Sequence, residues 1–109
     1  MHELVVVNRF RVQESGSEQF RTDVSGALGA LAERPGYVEG QVGRNVDDPG
    51  LWVLVTTWRN VGSYRRALSA YDVKVTAVPL LSLAIDEPSA YERVAADVPT
   101  NTQVPRELD

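Results

Sequence analysis

The feature that most constrains the fold is an apolar run of eight residues in the middle of the chain, Leu51–Trp58. It is rich in Val, Thr and Trp, and its length is typical of a strand rather than a helix. Alternate residues of a strand point to opposite faces, and both faces of this run are mainly apolar. Such a strand needs cover on both sides. The run therefore predicts a central strand, with Trp58 at its end as the wall of a pocket.

The bulk composition indicates one globular domain. The chain has 109 residues, of which 43% are hydrophobic and 24% charged. A net charge of −4 without a basic run argues against nucleic acid as a partner. The absence of cysteine excludes disulfides and Cys-based metal sites. No signal-peptide pattern or apolar stretch of membrane-spanning length is present, so we expect a cytoplasmic protein that does not bind membranes.

A first strand is predicted over residues 4–12, and it carries one polar residue on an apolar face. Asn8 shares its face with Leu4, Val6 and Phe10. A buried amide without hydrogen bonds costs about 1–3 kcal/mol. Asn8 is therefore either a structural residue that bonds to a loop or backbone group, or an amide aimed into a ligand pocket.

A first helix and a second strand are predicted next. Apolar residues recur at helical spacing over residues 20–31, before a Pro-Gly stop. Residues 37–45 then alternate as a strand, with Tyr37 assigned to one face and Val42 to the other. Gly40 within this strand indicates a bulge or a close backbone approach.

The second helical region begins after Asn60, a candidate N-cap, and is broken. Four residues share one face of its predicted helix: Val61, Tyr64, Leu68 and Tyr71. The tyrosines either line the core or point a phenol at Trp58 and Asn8 across a cavity. Pro79 favours a further helix to about residue 85, and residues 89–95 complete the pattern as a last strand.

The order β-α-β-β-α-β predicts a ferredoxin-like α+β sandwich with an antiparallel sheet. We assign residues 1–96 to this domain and 97–109 to a C-terminal tail, which is disordered or an arm across a partner. Helices are expected on the sheet face that carries Asn8 and Trp58. The opposite face is an apolar patch, which predicts a homodimer that presses sheet on sheet. Its residues are Val5, Val7, Leu51, Val53 and Val55.

Four short motifs, taken in order, resemble the antibiotic biosynthesis monooxygenase family of dimeric α+β barrel proteins. They are an Asn in the middle of the first strand, Pro-Gly-Tyr-Val over 35–38, Thr-Thr-Trp over 56–58, and Tyr64 six residues after the Trp. The resemblance covers roughly residues 3–95, and it implies pairing of two chains into a dimeric α+β barrel.

The resemblance also implies a function. Cofactor-independent members deprotonate a polycyclic phenol, and the resulting carbanion reacts directly with dioxygen. We therefore expect a monooxygenase that acts on a small aromatic or quinol substrate in an apolar pocket, with neither cofactor nor metal. The resemblance makes Asn8, Trp58 and Tyr64 the candidate catalytic residues. The candidate substrate-binding residues are Phe10, Leu54, Thr56, Leu68, Tyr71 and Arg65.

Two alternatives remain. One is a non-catalytic small-molecule binding protein with the same fold. The other is a haem-binding or haem-degrading protein, which would use Asn8 and Trp58 together with an axial His on the second helical region. The only histidine is His2, at the start of the first strand. The chain also departs from the quinone-forming enzymes at Leu54, where they carry an Asn. The oxygenase interpretation therefore needs Asn8 to replace that amide.

Overall fold

The strands and helices follow the predicted order. The computed structural model describes residues 3–97 and 99–100. The strands are β1 (Leu4–Arg11), β2 (Tyr37–Arg44), β3 (Leu51–Trp58) and β4 (Ala90–Glu92). A 3-10 turn (Glu14–Gly16) precedes α1 (Ser17–Ala32), and the second helical region comprises α2 (Val61–Ser69), α3 (Tyr71–Thr76) and α4 (Val78–Leu81). Most of the tail expected over 97–109 lies outside the described residues.

All pairings in the sheet are antiparallel, and the strand order is β2-β3-β1-β4. The apolar run chosen from the sequence is β3, which lies between β2 and β1. Its register with β1 is unbroken from Leu4 opposite Trp58 to Arg11 opposite Leu51. The prediction of a ferredoxin-like α+β fold is confirmed.

One face of the sheet forms the core beneath the helices. The alternation of β3 is regular, with Trp52, Leu54, Thr56 and Trp58 buried. Helix α1 packs Val24, Ala27 and Leu31 against this face, and the second helical region adds Ala67, Val73, Ala77 and Leu80. Burial of this apolar surface is the main stabilising contribution to such a fold.

A bulge in β2 changes the face assigned to Tyr37. Tyr37 lies opposite Trp58, but Glu39 lies opposite Thr57, so Val38 is an extra residue in the ladder. Tyr37 and Val42 therefore both pack against the core, whereas Val38 is exposed. The predicted assignment of Tyr37 and Val42 to opposite faces was wrong, because strict alternation does not hold across a bulge.

The second helical region is shorter and more broken than predicted. Asn60 caps α2 as expected, since its Oδ1 accepts a hydrogen bond of 2.9 Å from the Ser63 amide. Ala70 is extended (ψ 142°), which ends α2 before Tyr71. Helix α4 ends at Leu81, and residues Ile85–Ser89, here called the strap, run as a loop along β1.

No helix of the described residues covers the opposite face of the sheet, here called the open face. The five residues of its predicted apolar patch are all half-buried in the single chain. Arg9 and Arg11 extend from the same face of β1. Within the part of the chain that the structure describes, no helix is both long and apolar enough to span a bilayer.

Candidate functional site

Trp58 is the most enclosed aromatic residue of the core, with none of its surface exposed. Tyr37 meets it edge-on, with ring centroids 5.6 Å apart and an interplanar angle of 86°. Tyr64 packs on it at 5.5 Å and 54°. The indole Nε1 donates a buried hydrogen bond of 2.9 Å to the Thr56 Oγ1. Two tyrosine rings and a threonine thus hold the indole, and these four residues are here called the Trp58 cluster.

In the Trp58 cluster, the indole N–H is already hydrogen-bonded and the two tyrosine phenols are kept in the neutral form. The indole N–H bonds to Thr56 and has no second proton to donate to a ligand. Burial raises the pKa of the Tyr64 phenol, because the phenolate loses solvation. Burial also raises the pKa of Tyr37, with a smaller contribution from the Glu39 charge. Neither phenol is therefore suited to act as a base near neutral pH.

Asn8 lies away from the Trp58 cluster. Asn8 is opposite Leu54, whereas Trp58 is opposite Leu4. Four residues along a strand correspond to about 13 Å. The register of β1 against β3 thus separates Asn8 from Trp58 along the sheet. That Asn8, Trp58 and Tyr64 act together on one substrate stays a prediction.

The environment of Asn8 is open and polar. Its side chain is half-buried and makes no hydrogen bond to any described residue. It lines a cavity of about 310 Å³, here called the Asn8 pocket, and is the only sheet residue among those that line it. The other lining residues come from the end of α4 and the segment after it: Leu81, Ser82, Ala84, Ile85, Asp86, Glu87 and Ser89. The volume lies at the lower end of the range of small-molecule sites.

The strap that forms one wall of this pocket is fixed to β1. The Ile85 amide donates to the Arg9 carbonyl oxygen at 2.8 Å, and the Val7 amide donates to the Ser89 carbonyl oxygen at 2.7 Å. The Arg9 guanidinium donates two bonds of 2.7 Å to the Glu87 carboxylate. Such a two-pronged pair fixes geometry better than a single contact. The wall of the pocket is therefore an ordered part of the fold.

The two carboxylates of the pocket differ in their partners. The hydrogen bond from Arg9 lowers the pKa of Glu87, against a smaller opposing effect of desolvation. The same pair raises the pKa of Arg9. Asp86 is exposed and makes no ion pair or hydrogen bond with the rest of the described chain. Asp86 is thus the pocket carboxylate that is free to meet a ligand.

The predicted substrate-binding residues fall into two groups. Phe10, Leu54 and Thr56 are buried in the packed core, and Leu68 packs against it. Tyr71 is 79% exposed and Arg65 is also exposed. The expectation that Tyr71 continues the stripe of Tyr64 and Leu68 was wrong, because the break at Ala70 turns α3 away.

A second cavity lies between α1 and the α3–α4 region and contains none of the predicted site residues. It measures about 320 Å³, and its lining includes Gly26, Thr76, Pro79 and Leu83. Among the described residues, no group of three or more Asp, Glu or His side chains is placed to hold a metal ion.

Sequence reasoning missed Tyr37 and the strap as parts of these sites. Tyr37 could not be assigned because its face depends on the bulge at Val38. The strap carried a signal in the turn-forming sequence Asp-Glu-Pro-Ser over 86–89. Its contact with Asn8 depends on how the chain returns to β1, which no local pattern specifies.

Comparison with known proteins places these features in a family. The model of the antibiotic biosynthesis monooxygenase family matches residues 3–77. Among solved structures, SnoaB from Streptomyces nogalater, a cofactor-independent oxygenase, is 26% identical with a TM-score of 0.70, over 90% of this chain and 97% of its own. A conserved protein from Methanosarcina mazei Go1 is 18% identical with a TM-score of 0.72, over 86% and 95%.

The search of curated proteins found no match. The family model nevertheless covers more than half of the chain, and its match includes β1, β2, β3 and the residues of the Trp58 cluster. The chain belongs to the antibiotic biosynthesis monooxygenase family.

Proposed function

We propose that this protein is a cofactor-independent oxygenase of a small phenolic aromatic substrate, which binds in the Asn8 pocket. The observation that carries the proposal is the Asn8 amide, which has no partner among the described residues and faces a cavity from an otherwise apolar strand face. Family membership and the likeness to SnoaB support an oxygenase over other chemistries. One fold can host many functions, so the substrate site is inferred from the residues that line the pocket.

The reaction requires little from the protein beyond binding of the substrate and stabilisation of the negative charge that develops on it. A phenol or its anthrone tautomer loses a proton, and the anion reacts with dioxygen at a ring carbon to give a peroxide. Loss of water from the peroxide then leaves a quinone. In this proposal the Asn8 amide N–H donates to the oxygen on which negative charge develops, an effect worth about 100- to 1000-fold in rate in comparable sites.

Trp58 and Tyr64 take a supporting role in this proposal. Tyr37, Thr56 and Tyr64 contact the Trp58 indole, and so the cluster fixes the end of β3 and keeps water out of that part of the core. Substitution of either residue is expected to act through the shape of the sheet.

We also propose that two copies pair through the open face. Its half-buried valines form an apolar patch of the kind that marks an interface. Sedimentation of the wild type and of Val53→Asp tests this, since a charge in the centre of the patch should yield monomers. Val38→Asp, at an exposed bulge residue, is the matched control.

Binding without chemistry is the second candidate. It is favoured by the Trp58 cluster, where side chains fill the space between the end of β3 and α2, and the indole N–H is already bonded. A protein of this kind would bind an aromatic ligand in the Asn8 pocket and leave it unchanged.

Oxygen uptake with a dihydroxyanthrone separates the two candidates. The proposal expects turnover well above the buffer rate, and a fall of about 100-fold in kcat for Asn8→Ala. Gln19→Ala removes a surface amide on α1 and should leave the rate unchanged. Saturable binding of the anthrone without oxygen uptake would assign the protein to the second candidate.

A further inference from the structure

We infer that Asp86 is the proton acceptor of the Asn8 pocket and takes the substrate proton that must leave before dioxygen reacts. This inference rests on the proposed oxygenase function and adds a catalytic residue to it. The titratable side chains that line the pocket are Asp86 and Glu87. The choice between them follows from their partners.

Glu87 is committed to the fold. Both of its carboxylate oxygens accept hydrogen bonds of 2.7 Å from Arg9. This pair lowers the pKa of Glu87, which makes the carboxylate a poorer base. Proton transfer to Glu87 would also break the link that holds the strap to β1. Glu87 is therefore a positioning residue.

Asp86 has the opposite properties. Its carboxylate has no partner among the described residues, so both oxygens can accept a proton from a ligand. Its neighbours in the strap are each fixed to Arg9, Ile85 through its amide and Glu87 through its carboxylate. A free side chain on a fixed backbone is what a general base requires. Its exposure also gives the captured proton a route to solvent.

The step balances without a cofactor. The phenolic O–H bond of the substrate breaks, an O–H bond forms on the Asp86 carboxylate, and the electron pair stays on the substrate as a delocalised anion. The Asn8 amide N–H stabilises that anion. Dioxygen, the co-reactant of the proposed function, then accepts electrons from the ring carbon and is reduced to a peroxide. The ring-bound peroxide takes up a proton from Asp86 or solvent. Its O–O bond and the hydrogen–carbon bond of the same ring carbon then break, the outer oxygen leaves as water, and the inner oxygen stays on the ring as the quinone oxygen.

The test compares Asp86→Asn with Asp86→Glu and with a control aspartate. Asp47→Asn removes an exposed turn carboxylate whose side chain also has no partner among the described residues. Initial rates of oxygen uptake with a dihydroxyanthrone are measured at pH 7. General-base catalysis contributes about 100- to 10,000-fold. We expect Asp86→Asn to lower kcat at least 100-fold and to change KM less than threefold.

The conservative and control variants complete the test. Asp86→Glu should recover most of kcat, and Asp47→Asn should match the wild type. If Asp86→Asn keeps the wild-type kcat, the inference is overturned, while oxygen uptake that still depends on Asn8 leaves the proposed function intact. If the wild type itself shows no uptake above buffer, both fall together.

Discussion

The Trp58 end of β3 and the Asn8 segment of β1 lie on the same sheet face, but they differ in whether their polar groups are already hydrogen-bonded. At the Trp58 end, the indole N–H is bonded and two rings enclose the side chain. At Asn8, the amide has no partner in the part of the chain that the structure describes, and a cavity of about 310 Å³ lies above it. Trp58 is therefore expected to contribute to stability, and Asn8, whose amide has no partner among the described residues, is the candidate for substrate chemistry.

The largest expected effect is a loss of stability when the enclosed Trp58 side chain is removed. Trp58→Ala should lower the free energy of unfolding by about 3–5 kcal/mol, because it removes a fully buried side chain and leaves a cavity. Asn8→Ala should change it by less than about 1 kcal/mol, since the amide makes no bond to the described chain. Urea unfolding of both variants gives the comparison. Equal losses would contradict the division of roles.

Gly40 tests how tightly the enclosed end is packed. A Cβ at Gly40 would lie 2.6 Å from the Leu28 Cδ1 and 2.7 Å from the Tyr37 hydroxyl. Gly40→Ala should therefore cost about 1 kcal/mol through overpacking, because both contacting atoms are side-chain ends that can shift. Gly29→Ala in α1 is the control, because a Cβ there meets nothing within 4 Å, and it should stabilise the helix by about 0.5–1 kcal/mol. Unfolding midpoints of the two variants should therefore move in opposite directions.

The hydrogen bond within the Trp58 cluster is tested at constant shape. Thr56→Val keeps the volume but leaves the buried indole N–H without an acceptor, which should cost about 1–3 kcal/mol. Thr56→Ser keeps the hydroxyl. In NMR spectra of this variant, the resonance of the Trp58 indole N–H should therefore stay near its wild-type position. A resonance that shifts equally in both variants would show that the hydroxyl does not hold the ring.

The strap provides a smaller, pH-dependent effect. The pKa of Glu87 in the folded protein is below the ordinary value of 4.5 because Arg9 donates to it. A group with a depressed folded-state pKa stabilises the fold at pH values above its unfolded pKa, and this contribution is lost as pH falls through the folded value. The stability difference between wild type and Glu87→Gln should thus be present at pH 7, decline as pH falls below 4.5, and be lost once pH passes below the folded pKa. Glu33→Gln, at an exposed glutamate outside the strap, is the matched control.

The smallest effect is expected at the two predicted ligand residues that face solvent. Tyr71→Ala and Arg65→Ala should leave anthrone binding unchanged and alter stability by no more than about 0.5 kcal/mol. Fluorescence titration and urea unfolding check both. A loss of binding for either variant would mean that the ligand sits above α2 rather than in the Asn8 pocket.

The fold was within reach of the sequence because its main signals are local. The alternation of β1 and β3, the Asn60 cap and the Pro-Gly stop each act over a few residues, and together they specify element order. The open apolar face followed from the same alternation.

The candidate site could be predicted only in part from the sequence, because its geometry depends on the register between strands. The pairing of Asn8 with Leu54 rather than with a residue near Trp58 is a property of two strands together. The break at Ala70 and the bulge at Val38 each changed which way a tyrosine faces. The strap reaches Asn8 through contacts between residues 78 positions apart, such as Arg9 and Glu87.

The unpaired position of Val38 also bears on how this chain tolerates changes in length. Deleting Val38 would leave Tyr37 opposite Trp58 and Glu39 opposite Thr57, so every side chain of β2 would keep its side of the sheet. Deleting Gln41, in the regular part of the same strand, would reverse the side taken by every residue beyond it or before it. Among related chains, insertions and deletions within β2 should therefore occur mainly at the position of the Val38 bulge, near the start of the strand.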